Sequence, residues 1–278
     1  MTDYQHIIVD SPLEGVSRIT LNRPDSRNAL NNVLRGEIYG TLEANDNNDA
    51  IRVTIIRGAG PAFCAGYDLK GNSDEDRPFH TAGGDGSWAR HVVEGAFRVW
   101  DLAKPVIAQV HGYCLAGGTE LATSCDLVYV AEDAKIGYPV VRSMSPPDNQ
   151  FFPWVVGMRN AMEMMLTGDA ISGTDAANYG FANRAFPVDE LEAEVMKVAA
   201  KIAKIPPDIE QMNKRAVHRQ MDLMGMRAAI RQGTEIQALA FHTTSTRAHF
   251  KELAGGLTDA LSKRDGKFGD YRTSGKED

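Results

Sequence analysis

Short runs rich in Val and Ile recur through the first two-thirds of the chain, separated by turns and helical stretches. This alternation restricts the fold more than any other feature. QHIIVD, around 6–10, and VSRITLN, at 16–22, read as strands. A polar link at 11–15, with Pro12 and Gly15, suggests a hairpin between them. RVTIIRG (52–58), KPVIAQVHG (104–112) and CDLVYVA (125–131) read as further strands. Helices are expected over 29–46, capped by Asn28, and near 88–102 and 117–124. Strands alternating with helices need crossover connections, which is an α/β architecture. Past residue 190 the strands stop. DELEAEVMKVAAKIAKI (189–205) is a strongly amphipathic helix halted by Pro206 and Pro207, and 208–223, 226–241 and 247–264 also read as helical. We expect an α/β region over 1–195 and an all-helical region over 196–278.

The chain has 278 residues, 43% of them hydrophobic and 24% charged, so a sizeable core is within reach. Lys and Arg number 30 against 37 Asp and Glu, a formal charge of −7. Such a surface repels phosphate backbones and anionic lipid, which argues against nucleic acid or membrane as partner. No apolar run approaches the ~20 residues of a membrane span. The start, MTDYQHIIVD, lacks the features of a signal peptide, and Cys64, Cys114 and Cys125 form no CxxC pair. Reduced thiols and a cytoplasmic location are expected. Both Cys64 and Cys114 read as small buried residues, and His111 as a core or interface residue. Residues 71–87 are polar, acidic and Gly-rich, which reads as a mobile surface loop; segments of this length also serve as lids.

Seven histidines show no metal-ligand spacing, so no metal is expected. There is no GxSxG elbow and no Walker A, and GAGPAF (58–63) fails GxGxxG. Three segments remain: NRPDSRNAL (22–30), GPAFCAGYDLK (60–70) and QVHGYCLAGGTELATSCDLVYVAEDAKIGYPVV (109–141). In the last, a strand enters a Gly-rich turn and a helix begins near Gly117. Free N–H groups at a helix start favour a developing oxyanion. Glu120 follows one turn later, where a carboxylate can move a proton beside a thioester carbonyl. A Gly pair followed by a dipole-favoured Glu would read the same way without any chemistry.

Together these segments resemble the enoyl-CoA hydratase/isomerase family, also called the crotonase superfamily. NRPDSRNAL resembles its N-x-P-x-x-x-N-A-L signature, PAFCAGYDL its F-x-A-G-x-D turn, and HGYCLAGGTELATSCDLVYVAEDAKIGYP its central stretch. LTGDAISGTDAANYGFANRAFPVDEL (166–191) and FKELAGGLTDALSKRDGKF (250–268) resemble its later segments. The resemblance implies a spiral of ββα repeats, a C-terminal helical region that closes the site and trimerises, and a homotrimer or a hexamer. It implies an acyl-CoA thioester as ligand, with coenzyme A as part of the substrate and no separate cofactor. By motif position, Tyr67 and Gly117 would supply the two oxyanion N–H groups. Ala65, Gly66, Asp68, Leu69 and Lys70 would line the coenzyme A path, and Arg27 would meet its phosphates, unless that side chain is merely solvated.

The chain departs from the hydratase pattern at one place. Glu120 matches the first catalytic glutamate, but IGYPVV puts Val140 where the second belongs. Asp148, eight residues on, matches an acid position of dienoyl-CoA isomerases, 3-hydroxyisobutyryl-CoA hydrolases and 4-chlorobenzoyl-CoA dehalogenase. It reads equally as a helix N-cap after two prolines. Tyr138 and Arg142 flank the change, and either is a candidate to reach the pocket. Val140 also makes room for a bulky or cyclic acyl group. The leading expectation is hydration, dehydration or isomerisation of an acyl-CoA by Glu120 and Asp148. The alternatives are a hydrolase of the thioester or of a β-keto C–C bond, and a non-catalytic CoA-binding protein.

Overall fold

A parallel strand buried on both faces shows a continuous apolar run rather than alternation, and Val106–Val110 (β5) is buried at all five positions. The computed structural model describes residues 4–70, 76–269 and 271. Ile7–Leu13 (β1) and Val16–Leu21 (β2) form the expected antiparallel hairpin. Val53–Gly58 (β3) joins β2 in parallel, followed by β5, Leu127–Ala131 (β7) and Arg184–Phe186 (β10), also parallel. The resulting order is β1-β2-β3-β5-β7-β10.

A second sheet interleaves with the first. Ala62–Cys64 (β4), Tyr113–Leu115 (β6) and Lys135–Gly137 (β8) pair in parallel, and Ile171–Ser172 (β9) closes the edge antiparallel to β8. In the β3–β4, β5–β6 and β7–β8 circuits the chain adds a longer strand to the first sheet and then a three-residue strand to the second. After β4 the chain returns through Ser87–Trp100 (α2), and after β6 through Gly117–Ser124 (α3). This is a spiral of ββα units. The short strands are absent from the sequence reading because three residues are too few to show a period of two.

The first helix runs Asn32–Asp46 (α1) and is capped by Asn31, whose side chain accepts from the Leu34 N–H at 2.8 Å. Asn28 is not the cap. It is buried with φ 55°, whereas a cap residue needs extended backbone. Its Nδ2 donates to the carbonyls of Ala59 (2.9 Å) and Ala62 (2.8 Å), and its Oδ1 accepts from the Arg23 N–H (2.9 Å). It thereby ties the 23–30 turn to the β3–β4 corner. The link from β5 to β6 is equally tight. Gly112 has φ +57°, and a Cβ there would stand 2.0 Å from the Pro61 carbonyl oxygen. We expect Gly112→Ala to cost about 3 kcal/mol, near the upper end of ordinary single substitutions. Denaturant unfolding reads this directly, and an unchanged midpoint would contradict it.

Leu191–Ile202 (α7), which spans the expected boundary at 195, lays Leu191, Val195 and Ala199 against β3, β5 and β7. Pro207–Leu223 (α8) and Met226–Ala240 (α9) follow. Met226 and Ile230 pack with Val93, Ala96, Phe97 and Trp100 of α2 and with Phe151, which fastens the tail helices to the core. The single helix expected over 247–264 is two, Thr244–Gly255 (α10) and Leu257–Asp265 (α11). Adjacent Gly255 and Gly256 carry the lowest helix propensity short of proline, and the helix breaks there. Of the 71–87 stretch, 71–75 lies outside the described residues. The rest is pinned to α2, where the Phe79 ring stacks on His91 at 4.1 Å.

Candidate active site

Two turns, one from each of two successive circuits, meet at the centre of the site. In the first, Leu30 bridges Tyr67 in parallel: the Leu30 N–H donates to the Gly66 carbonyl (2.8 Å), and the Asp68 N–H to the Leu30 carbonyl (3.1 Å). That pattern turns the N–H of Tyr67 to the opposite edge. In the second, Ala116 holds φ 49° and ψ −122°, a sparsely populated conformation, immediately before α3. Gly117, as the first helical residue, has an N–H with no acceptor inside the helix. The turns touch: a Cβ built on Gly66 would lie 2.9 Å from Ala116 Cβ and 3.4 Å from Gly117 N. The Tyr67 ring lies over Gly117, where an added Cβ would meet ring atoms at 2.7–2.9 Å.

Glu120 stands one turn into α3 and is 2% exposed. Five donors converge on it. Oε2 accepts from the Tyr67 hydroxyl (2.7 Å) and Asn149 Nδ2 (3.4 Å). Oε1 accepts from the Tyr138 hydroxyl (2.9 Å) and the main-chain N–H groups of Asp148 (2.9 Å) and Asn149 (3.4 Å). Asp148, 3% exposed, has the opposite surroundings. Trp88 lines the same cavity and favours the charged form of its carboxyl, while Oδ1 has no hydrogen-bond partner among the described residues. Burial, and then the charge of Glu120, push the Asp148 carboxyl well above the usual aspartate range. Burial also raises Glu120, but the hydrogen bonds from Tyr67, Tyr138 and the 148–149 main chain oppose it. Two buried carboxyls this close cannot both ionise readily. The donors favour charge on Glu120, while burial and the Glu120 charge favour the neutral form of Asp148.

A cavity of about 340 Å³ opens beside this pair. Of the residues singled out from sequence, Arg27, Ala65, Tyr67, Asp68, Leu69, Tyr138, Val140 and Asp148 line it. Gly66, Gly117, Lys70 and Glu120 do not. Gly117 and Glu120 face a separate space of about 20 Å³ with Tyr67, Arg35 and Asn149. Tyr67 and Tyr138 line the main cavity, and both hydroxyls donate to Glu120. Lys70 is exposed, and Asp68 is held by Arg23 at 2.8 Å. Arg27 lies over the Tyr113 ring at 5.3 Å rather than free in solvent. Arg142 does not itself line the cavity; its side chain is held on the Thr167 carbonyl (2.9 Å), Asp169 (2.7 Å) and Asp265 (3.5 Å). Nor is Asp148 a helix cap; the N-cap of the next helix, Phe152–Val155 (α4), is Phe151.

Several lining residues carried no signal in the sequence. Trp88 comes from α2, and Gln237, Phe250 and Leu261 come from the tail helices that close the cavity. Only the path of the chain brings them in. Arg35 is buried behind Tyr67, its guanidinium 5.8 Å from that ring's centroid and 5.4 Å from that of Trp88. The three cysteines are buried, and desolvation pushes the Cys64 thiol up to about 12, which leaves it unreactive at neutral pH.

A double-sheet ββα spiral with two backbone turns meeting beside a buried acid is the crotonase architecture. The family model described as enoyl-CoA hydratase/isomerase matches residues 12–271. A Mycobacterium tuberculosis protein named as an enoyl-CoA hydratase, EchA13, is 34% identical over 91% of this chain and 84% of its own length. The crystal structure of an enoyl-CoA hydratase/isomerase from Xanthobacter autotrophicus Py2 is 35% identical, with a TM-score of 0.86 over 95% of this chain and 99% of the other. That of an enoyl-CoA hydratase from Mycobacterium smegmatis gives 29% and 0.88, covering 97% and 96%. The chain belongs to the enoyl-CoA hydratase/isomerase family and is an acyl-CoA-processing enzyme.

Proposed function

We propose that the protein adds water reversibly across the α,β double bond of an enoyl-CoA, with Asp148 acting where Val140 has replaced the second glutamate. The observation that carries this reading is the unpartnered Asp148 Oδ1, buried and facing the same cavity as Val140. The thioester oxygen is held by the N–H groups of Tyr67 and Gly117, so the α carbon bears carbanion character. Asp148 holds the exchangeable proton, and Glu120 holds the charge that receives one. The pair can accept a proton from water at the β carbon and return one to the α carbon, so all atoms of water end in the product. Arg27 and the 65–69 turn receive the coenzyme A portion. The aromatic lining from Trp88, Tyr138 and Phe250 favours a bulky or cyclic acyl group.

A second reading is isomerisation. It is favoured by the saturation of Glu120 with five donors, which leaves Asp148 as the open carboxyl of the pair, enough for a proton shuttle. Mass spectrometry of straight-chain, branched and cyclic enoyl-CoA thioesters incubated with the protein in ¹⁸O-labelled water separates these. Incorporation of one labelled water supports hydration. A moved double bond at constant mass means isomerisation. Label in a new carboxylate means hydrolysis and overturns both.

We also propose self-association and a cytoplasmic setting. Apolar side chains stand exposed along α8 and α9, among them Val217, Leu223, Ile236 and Leu239, as on a face that a second copy covers. The three free thiols suit a reducing compartment.

A further inference from the structure

We propose that the Tyr67 phenol is a catalytic proton relay, carrying the proton between the substrate in the cavity and the Glu120 carboxylate behind it. This rests on the reading above, that the cavity takes an acyl-CoA and that Glu120 and Asp148 move protons at its α and β carbons.

Access to Glu120 runs past Tyr67. Glu120 does not line the main cavity, whereas Tyr67 does, and its hydroxyl donates to Glu120 Oε2 at 2.7 Å. Direct transfer to Glu120 requires that bond to break and the ring to leave. The ring is wedged, however, over Gly117 on one side and against the edge of Trp88 at 5.1 Å on another. Its surroundings separate Tyr67 from the other phenol. Tyr138 also donates to Glu120, at 2.9 Å. Yet Tyr67 has the Arg35 guanidinium 5.8 Å from its ring centroid, and among the described residues no cation is found over the Tyr138 ring. The Arg35 charge eases release of the Tyr67 phenol proton, against the burial and the Glu120 and Asp148 charges that oppose it. Position also favours Tyr67. The main-chain N–H of the same residue faces the thioester oxygen, so ring and oxyanion donor are fixed together.

The step balances without any co-reactant. The Cα–H bond breaks and its electron pair enters the enolate held by the two N–H groups. The proton goes to the Tyr67 hydroxyl oxygen while that hydroxyl's own proton passes to Glu120 Oε2. Tyr67 stays neutral, Glu120 becomes neutral, and the reverse path returns the proton.

Tyr67→Phe tests this, because it keeps the main-chain N–H and the ring and removes one oxygen. With a thioester that the wild type turns over, kcat, KM and deuterium uptake at Cα from D₂O are compared across wild type, Tyr67→Phe, Tyr138→Phe and Glu120→Gln. We expect Tyr67→Phe to lose about 10²-fold in kcat and in deuterium uptake, the usual weight of a proton-transfer group. Its KM should stay within roughly threefold, the mark of an interaction made in the transition state alone. Tyr138→Phe should lose less than about tenfold. Tyr67→Phe that keeps near-wild-type exchange while Glu120→Gln is inactive would overturn the relay and leave the proposed function standing. Full exchange in Glu120→Gln would overturn both. Should Tyr67→Phe misfold, fluorotyrosine at 67 replaces it. That residue keeps the shape and changes the acidity, so kcat that varies with fluorination supports the relay and kcat that does not overturns it.

Discussion

Asp148→Asn should lower kcat by roughly 10²–10⁴ and at the same time make the protein more stable at neutral pH. The catalytic loss follows from removing the carboxyl that opens on the cavity; an amide of the same shape has no proton to exchange. The gain in stability follows from linkage. Burial and the Glu120 charge raise the folded-state pKa of Asp148 above its unfolded value near 3.8. Between those two values the folded protein carries one more proton than the unfolded chain. Stability therefore falls as pH rises through that window, by about 1.4 kcal/mol per pH unit per proton. Asparagine removes the dependence and keeps the shape of the side chain. Thermal melts of both proteins from pH 4 to pH 8 check it. The variant's midpoint should exceed the wild type's by a margin that widens with pH. A lower and parallel curve would mean that Asp148 is ionised in the folded state and held by partners.

Gly117→Ala should lose roughly 10²–10³ in kcat/KM, the usual effect of removing one oxyanion donor. Its Cβ would stand 2.7 Å from Tyr67 Cε2, so the ring or the start of α3 must move. Either movement shifts one of the two N–H groups proposed to hold the thioester oxygen, and a displaced ring also takes the hydroxyl off Glu120. Binding of free coenzyme A, for which the 65–69 turn and Arg27 are the proposed contacts, should change little. Steady-state kinetics beside calorimetric binding of coenzyme A separates the two effects. Equal losses in both would mean that the turn had collapsed rather than that one donor had moved.

The legible and the hidden parts of this molecule divide on physical grounds. Long strands such as Val106–Val110 and amphipathic helices such as Leu191–Ile202 reveal themselves because burial imposes a period or an unbroken apolar run. The strands Ala62–Cys64, Tyr113–Leu115 and Lys135–Gly137 are too short for that, although they form the second sheet that brings the two turns together. Asn28 misleads because asparagine suits both a helix cap and a left-handed turn, and only the neighbouring carbonyls of Ala59 and Ala62 decide between them. Within the site, Glu120 can be found from its spacing to the Gly-rich turn, and Asp148 from the resemblance to a family acid position eight residues past Val140. Their inequality cannot. It depends on which carboxyl the Tyr67 and Tyr138 hydroxyls reach and on Trp88, more than fifty residues from Asp148 along the chain.

The central claim is that the two N–H groups and the carboxyl pair remove and return a proton at the carbon beside a thioester carbonyl. Mass and NMR analysis of a 3-hydroxyacyl-CoA, incubated with the protein in D₂O, tests it most directly. The account predicts deuterium at Cα, with uptake slowed at least about 10²-fold in Glu120→Gln and Gly117→Ala. A thioester that binds but takes up no deuterium at Cα, or that loses its coenzyme A without doing so, would contradict it.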